Sequence, residues 1–201
     1  MTTAYCFDLD GTLTCQELLP LIASLAGLED EISVLTQATS DGLLPFDKSF
    51  KLRVRLLRDL PLQQIHAALR EGIKLDPDIL EFIRQNPERS FVLTGNLDLW
   101  VKPILDRLGI QSFCSESRLN GEGQLEGVEH VLHKGDAVSS LRDRFDCIVA
   151  VGEGLNDVPM FEAADWRIAF GGVRTPNKVL MDLSDFVVRE GRALCRLLGT
   201  L

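Results

Sequence analysis

Two carboxylates, Asp8 and Asp10, stand two residues apart in the run Phe7-Asp8-Leu9-Asp10-Gly11-Thr12. On an extended chain that spacing points both to the same side. Side by side they repel unless a cation or a proton intervenes. The arrangement suits Mg2+ binding combined with nucleophilic and acid–base work. A strand ending in an Asp-Gly turn has the same local sequence, so the pair alone leaves both readings open.

Three further clusters carry polar groups of matching chemistry. Leu93-Thr94-Gly95-Asn96 offers a hydroxyl, a glycine and the free N–H groups of a helix start near Asp98, an anion site suited to phosphate; an ordinary N-cap by Asn96 is the plainer alternative. Lys134 opens a helical pattern carrying Ala137, Val138, Leu141 and Arg142. A lysine at a helix N-terminus opposes the macrodipole and has reason to be engaged elsewhere, although a solvated surface lysine is the commoner case. Gly152-Glu153-Gly154-Leu155-Asn156-Asp157 brings two more carboxylates on a glycine-rich turn, which supplies the oxygen ligands a hard cation needs. Capping by Asn156 or Asp157 would account for the same residues.

The elements that must position these clusters follow from hydrophobic pattern. Ala4 to Phe7, Phe91 to Leu93 and Ile148 to Val151 are short apolar runs, each followed by a Gly-containing turn and a helical pattern. Such runs suit strands buried on both faces of a parallel sheet. Ile168 to Phe170 and Phe186 to Val188 read as two more. The expected fold class is α/β, an open parallel Rossmann-like sheet. In such sheets ligands bind beyond the carboxyl ends of the strands, where all four clusters fall.

From about Cys15 to Leu75 only helices are expected. Leu18, Ile22, Leu25 and Ala26 fit one helical face, and Phe46, Phe50, Val54 and Leu57 another. A helical block inserted after the first strand would form a small bundle beside the sheet. The division expected is therefore a core of residues 1–14 and 76–201 with a helical cap of 15–75, the return marked by Asp76-Pro77. Asn120-Gly121 and Gly123 predict a β-hairpin outside the main sheet.

Composition narrows the function classes. The 201 residues carry 21 Lys and Arg against 30 Asp and Glu, a net charge of −9, so the basic footprint of a nucleic-acid binder is missing. The apolar stretch Leu18 to Leu28 is too short to cross a bilayer. No basic segment or apolar signal core precedes the first strand. The five cysteines have no metal or redox spacing and are read as reduced thiols of a cytoplasmic protein. His130 and His133 lack metal-spaced partners and are expected to be ordinary surface residues.

The order of the clusters (an aspartate pair, then Thr, then Lys, then an acidic Gly-rich loop) resembles the haloacid dehalogenase superfamily over essentially the whole chain. It is similar to the phosphoserine phosphatase branch, which carries a helical cap after the first strand; Gly42 to Ser49 and Leu56 to Pro61 look similar to that branch. The resemblance implies Mg2+ as cofactor, Asp8 as nucleophile, and Asp10 as general acid and base with its backbone carbonyl on the metal. It implies Glu153 as a third protein ligand and Asp157 bound through water or supporting the shell. Thr94, Gly95, Asn96 and Lys134 would surround the phosphoryl group, and Asn156 would orient the site or the substrate.

In the cap, the resemblance places Glu17 on a substrate amine, Arg53 on a substrate carboxylate and Phe46 in an aromatic position. Read from the residues alone, Arg53 lies beside the apolar stripe of its helix and wants an anion, either a substrate carboxylate or a cap acid. Glu17 alone reads as the third helical position of a capping box begun by Thr14. Two residues depart from the branch. Glu153 replaces the commoner aspartate, extending its carboxylate by about 1.5 Å and opening a preference for Mn2+. Asn96 replaces a glycine.

The expected activity is hydrolysis of L-phosphoserine through an aspartyl-phosphate. The partner would be a small phosphorylated metabolite, an amino-acid phosphate, with no nucleic acid or membrane, and the chain a monomer or homodimer. The alternatives are a phosphatase or phosphotransferase for another small phosphate ester, and an inactive relative that binds a phosphorylated metabolite or protein.

Overall fold

The computed structural model describes residues 2–201. In chain order the elements are β1 (Thr3–Phe7), α1 (Leu18–Ser24), α2 (Glu29–Ser40), α3 (Phe46–Leu57), α4 (Leu62–Gly72), α5 (Pro77–Gln85), β2 (Ser90–Leu97), α6 (Asp98–Leu108), β3 (Gln111–Leu119), β4 (Leu125–His130), α7 (Lys134–Ser139), β5 (Cys147–Gly152), α8 (Val158–Ala163), β6 (Trp166–Phe170), α9 (Lys178–Leu183), β7 (Phe186–Val188) and α10 (Gly191–Leu198). The strands form one sheet in the order β4-β3-β2-β1-β5-β6-β7, parallel except for β4.

β1 lies at the centre because its residues are apolar on both faces. Phe7 packs with Val149, Val151 and Ile168 on one side, while Ala4 and Cys6 join Phe91, Ile148 and Met160 on the other. The chain first builds outward from β1 through β2, then returns to its opposite side with β5. That reversal leaves a crevice at the carboxyl end of β1, the place where open α/β sheets bind ligands.

Two expectations about the sheet change. The strand Gln111–Leu119 lacked a continuous apolar run, because much of it is exposed, yet it pairs in parallel with β2. The hairpin around Asn120-Gly121 therefore extends the main sheet as its β3–β4 edge instead of standing outside it.

Helices α1 to α4 fill the stretch between β1 and α5. Their entry and exit lie side by side: Cys15 donates to the Lys74 carbonyl at 2.8 Å and Asp76 to the Leu13 carbonyl at 2.9 Å. The buried face of α1 is Leu18, Leu19, Ile22 and Ala23. Leu25 and Ala26, expected on that face, are exposed, because the helix stops at Ser24 and the chain turns through Gly27. On α3 the predicted stripe is present, with Phe50, Val54 and Leu57 buried and Phe46 half-buried. The capping box predicted from Thr14 does not form. Thr14 Oγ1 donates within the preceding loop, and Glu17 sits at the N-cap of α1 with no capping bond from its side chain.

The return to the sheet is capped as the sequence suggests. Asp76 Oδ1 accepts from the N–H groups of Asp78 and Ile79, both at 3.0 Å, with Pro77 in the first turn of α5. Asp76→Ala should cost about 1 kcal/mol of stability, a shift of roughly 2–4 °C in Tm for a chain of this size; thermal unfolding followed by circular dichroism checks it.

Candidate active site

Three strand ends meet at the crevice. Phe7 of β1 is level with Val92 of β2 and Val151 of β5, so the residues that follow each strand face one another. Asp8 continues the sheet by donating its N–H to the Val151 carbonyl at 2.9 Å. The chain then folds into a wide turn in which Thr14 donates its N–H to Leu9. Gly11 is required there twice over: its φ is +70°, and a Cβ would stand 2.7 Å from the Glu153 carboxylate. β2 contributes Thr94, Gly95 and Asn96 through a bulge between Thr94 and Leu97, a local kink that re-aims side chains.

Lys134 is 3% exposed, which excludes the solvated surface lysine. Its Nζ donates to Asp8 Oδ1 at 2.5 Å and to Asp157 Oδ1 at 2.6 Å. The other oxygen of Asp157 accepts from the N–H groups of Glu153 and Gly154, each at 2.9 Å, so this fully buried carboxylate holds the acidic loop in shape. Burial works against the Lys134 charge, but the carboxylates of Asp157 and Asp8 outweigh it and raise the ammonium pKa. Burial, with Asp157 adding to it, pushes the Asp8 carboxyl well above its usual range in spite of Lys134.

Asp10 is half-buried, and both of its oxygens are engaged. Oδ1 accepts the Leu18 N–H at 3.0 Å, and Oδ2 accepts from Asn96 Nδ2 at 2.6 Å. Burial and then the nearby Glu17 charge raise its pKa to about 7, against the pull of the Asn96 bond. Asn96 does not cap α6, whose N-cap is Leu97, and its amide Nδ2 is engaged with Asp10. Thr94 Oγ1 accepts from Asn96 N at 3.2 Å.

These groups open into one cavity of about 580 Å3 between the sheet edge and the helices α2 and α3. Every residue singled out from the sequence lines it except Asp157, which lies behind Lys134. Phe46 lies over Gly95 so closely that a Cβ there would collide with the ring. Asn156 folds its amide oxygen against Gly154 at the rim. Arg53 is 4% exposed, with its guanidinium over the rings of Phe46 and Phe50 at 5.8 and 5.9 Å. It reaches only the Ser49 carbonyl and Thr36 Oγ1, both at 3.4 Å, and its Nη2 is buried without a hydrogen-bond partner. No acid of the cap pairs with it among the described residues.

The sequence reading missed Arg174, on the Gly-rich loop after β6. It meets Glu153 Oε1 at 2.5 Å and Glu17 Oε1 at 3.2 Å. Its placement after a parallel strand was the available signal, since every such strand end feeds the same edge. Burial raises Glu153 to about 7 despite Arg174.

Asp8, Asp10, Glu153 and Asp157 form no ready-made cluster of three or more metal ligands among the described residues. Lys134 stands between two of them and Arg174 draws the third. The chemistry of the site still fits a hard cation. The donors are oxygens only, burial disfavours the charged forms of Asp8, Asp10 and Glu153, and Glu153 Oε2 is buried with no partner.

A sequence profile of the haloacid dehalogenase-like hydrolases matches residues 6–162. The chain belongs to that family. Among the relatives of this haloacid dehalogenase-like chain, the phosphoserine phosphatase of Halobacterium salinarum is 34% identical over 83% of this chain and 84% of its own. That of Methanocaldococcus jannaschii is 32% identical over 82% and 83%. A solved phospho-aspartyl intermediate analogue of phosphoserine phosphatase superposes with a TM-score of 0.82 at 27% identity, covering 98% of each chain. A substrate-bound phosphoserine phosphatase complex gives the same score and identity over 100% of this chain and 98% of that one.

Removing the shared cation tests the electrostatics. Lys134→Ala should lower kcat by at least about 10²–10³-fold and cost about 3–5 kcal/mol by leaving two buried carboxylates unpaired. Because burial holds the folded-state pKa of Asp8 above its unfolded value, stability returns as the pH falls from 7 towards 5. Urea unfolding at the two pH values measures this.

Proposed function

We propose that this phosphatase hydrolyses L-phosphoserine through an aspartyl-phosphate, with Mg2+ as cofactor and residues 15–75 acting as a cap over the site. The observation that carries the substrate reading is Arg53: a buried guanidinium, stacked on two rings, with no anion and an unpaired Nη2, facing the same cavity as Asp8 and Lys134. A phosphate ester that also bears a carboxylate supplies the missing anion. The relatives named phosphoserine phosphatase support the same substrate.

In this reading Asp8 attacks phosphorus as the ester oxygen departs, and Asp10 delivers a proton to that oxygen. Asp10 then takes a proton from the water that displaces Asp8 from phosphorus. A carboxyl near 7 exchanges protons in both directions at neutral pH. Lys134 holds Asp8 in place and offsets charge on the phosphoryl oxygens. Thr94 and the backbone at Gly95 receive those oxygens. Mg2+ held by Asp8, the Asp10 carbonyl and Glu153, with Asp157 supporting, would let an anionic nucleophile approach an anionic phosphate. Glu17 faces the substrate amine.

A second reading is favoured by one observation. Arg174 stands 3.2 Å from Glu17, within ion-pair distance although Glu17 Oε1 has no hydrogen-bond partner, so a carboxylated phosphate ester without an amine would leave that pair undisturbed.

Phosphate release from L-phosphoserine, from its des-amino analogue and from sugar phosphates, with Mg2+ or with EDTA, tests both readings. The expected result is Mg2+-dependent turnover preferring phosphoserine; preference for the des-amino ester would select the second. Asp8→Asn should abolish turnover while leaving the circular dichroism spectrum unchanged. Arg53→Ala should raise KM for phosphoserine roughly 10–100-fold, the worth of a charged hydrogen bond, with little change for p-nitrophenyl phosphate.

A further inference from the structure

We infer that Asn96 is a positioning residue for Asp10, fixing the carboxyl that carries the proton to the leaving alcohol. The inference rests on the catalytic reading above and deepens it. Asn96 is 5% exposed and sits in the β2 bulge, and its Nδ2 donates to Asp10 Oδ2 at 2.6 Å. The Leu18 N–H holds the other oxygen at 3.0 Å. A carboxyl gripped at one oxygen can swing about that contact, whereas one gripped at both keeps its plane. Lys134, whose hydrogen bonds go to Asp8 and Asp157, does not supply the second grip.

The same residue also orients a phosphate-binding group, chiefly through its backbone N–H, a contact that survives replacement of the side chain. Thr94 Oγ1 accepts from the Asn96 backbone N–H at 3.2 Å and from Nδ2 at 3.4 Å. With its lone pairs directed at Asn96, the hydroxyl hydrogen is left to point into the cavity, where a phosphoryl oxygen would accept it. Asn96 thus links the group that holds phosphate to the group that protonates the leaving oxygen. The two ends of the breaking bond are set from one residue. In that step the Asp8 oxygen–phosphorus bond forms, the phosphorus–ester oxygen bond breaks, and the departing alkoxide takes the proton from Asp10.

Leaving-group chemistry separates this role from a packing role. An aliphatic alkoxide needs a proton to depart, while p-nitrophenolate leaves without one, and kcat/KM reports events up to that departure. Asn96→Ala should lower kcat/KM about 10–100-fold for L-phosphoserine and less than about threefold for p-nitrophenyl phosphate. Asn96→Asp keeps the shape but replaces the donor with an acceptor, and should not restore phosphoserine turnover. Melting temperatures of both variants show that they are folded. An equal loss with both substrates, no loss with either, or wild-type turnover in Asn96→Asp would overturn the assignment. Should the wild-type protein hydrolyse p-nitrophenyl phosphate and glycerol phosphate but not phosphoserine, the substrate reading falls alone. The same comparison with glycerol phosphate then decides the role of Asn96.

Discussion

Two buried carboxylates, Asp8 and Asp157, share one buried ammonium, and the loops that carry them are shaped by that need. Three charges drawn out of water cost several kcal/mol each unless their hydrogen bonds are complete. Asp157 is completed locally by two backbone N–H groups from its own loop, whereas Lys134 is the partner that the Asp8 carboxylate finds. Gly152 is part of the same solution, since a Cβ there would stand 2.5 Å from the Asp157 carboxylate. The position of Lys134, at the start of α7, is unfavourable by the helix dipole alone. The pair of carboxylates outweighs that, so helix, loop and strand ends lock around one nitrogen.

The wall contributed by α3 repeats the logic with opposite sign. Arg53 is buried without a carboxylate partner, and stacking on Phe46 and Phe50 offsets only part of its desolvation. Burial accordingly lowers its pKa, although Asp10 and Glu17 resist. A buried cation left unpaired on one wall favours a ligand that brings an anion to it. The aromatic ring that supports Arg53 also closes over Gly95, so α3 and the end of β2 are in van der Waals contact.

How much of this was legible in the sequence follows from the range of the interactions. Asp8 and Asp10 were readable as a close carboxylate pair at a strand end, although the strand stops at Phe7 and a turn, not a strand period, places Asp10. Asp76-Pro77 was readable because capping is local. Lys134 was ambiguous: its partners lie on two other strand ends, and its own neighbours suggest a surface residue. Strand Gln111–Leu119 was invisible to an apolar-run criterion because, next to the edge strand β4, much of it stays in water. Arg174 escaped for the same reason as Lys134, since both of its carboxylates lie far away in sequence and only the return of the chain to the sheet edge brings them near. Glu17 was misread in the other direction. A local capping pattern was present, but Thr14 spends its hydroxyl on the loop that shapes Asp8 and Asp10.

Glu153 and Asn96, the two residues that depart from the pattern the resemblance implies, each find a partner within the site. The longer arm of Glu153 carries one oxygen to Arg174, while its carboxylate lies against Gly11, a residue with no side chain to obstruct it. Asn96 brings a donor to a place where glycine would offer only backbone, and that donor reaches Asp10. Each change adds a polar group to a crowded, poorly hydrated site, which is costly unless the group is satisfied. One oxygen of Glu153 and Nδ2 of Asn96 are satisfied by residues of the site, so both added polar groups are anchored within it. The remaining Glu153 oxygen has no partner among the described residues. It lies against the turn that carries Asp8 and Asp10, where a divalent cation has most negative charge to neutralise.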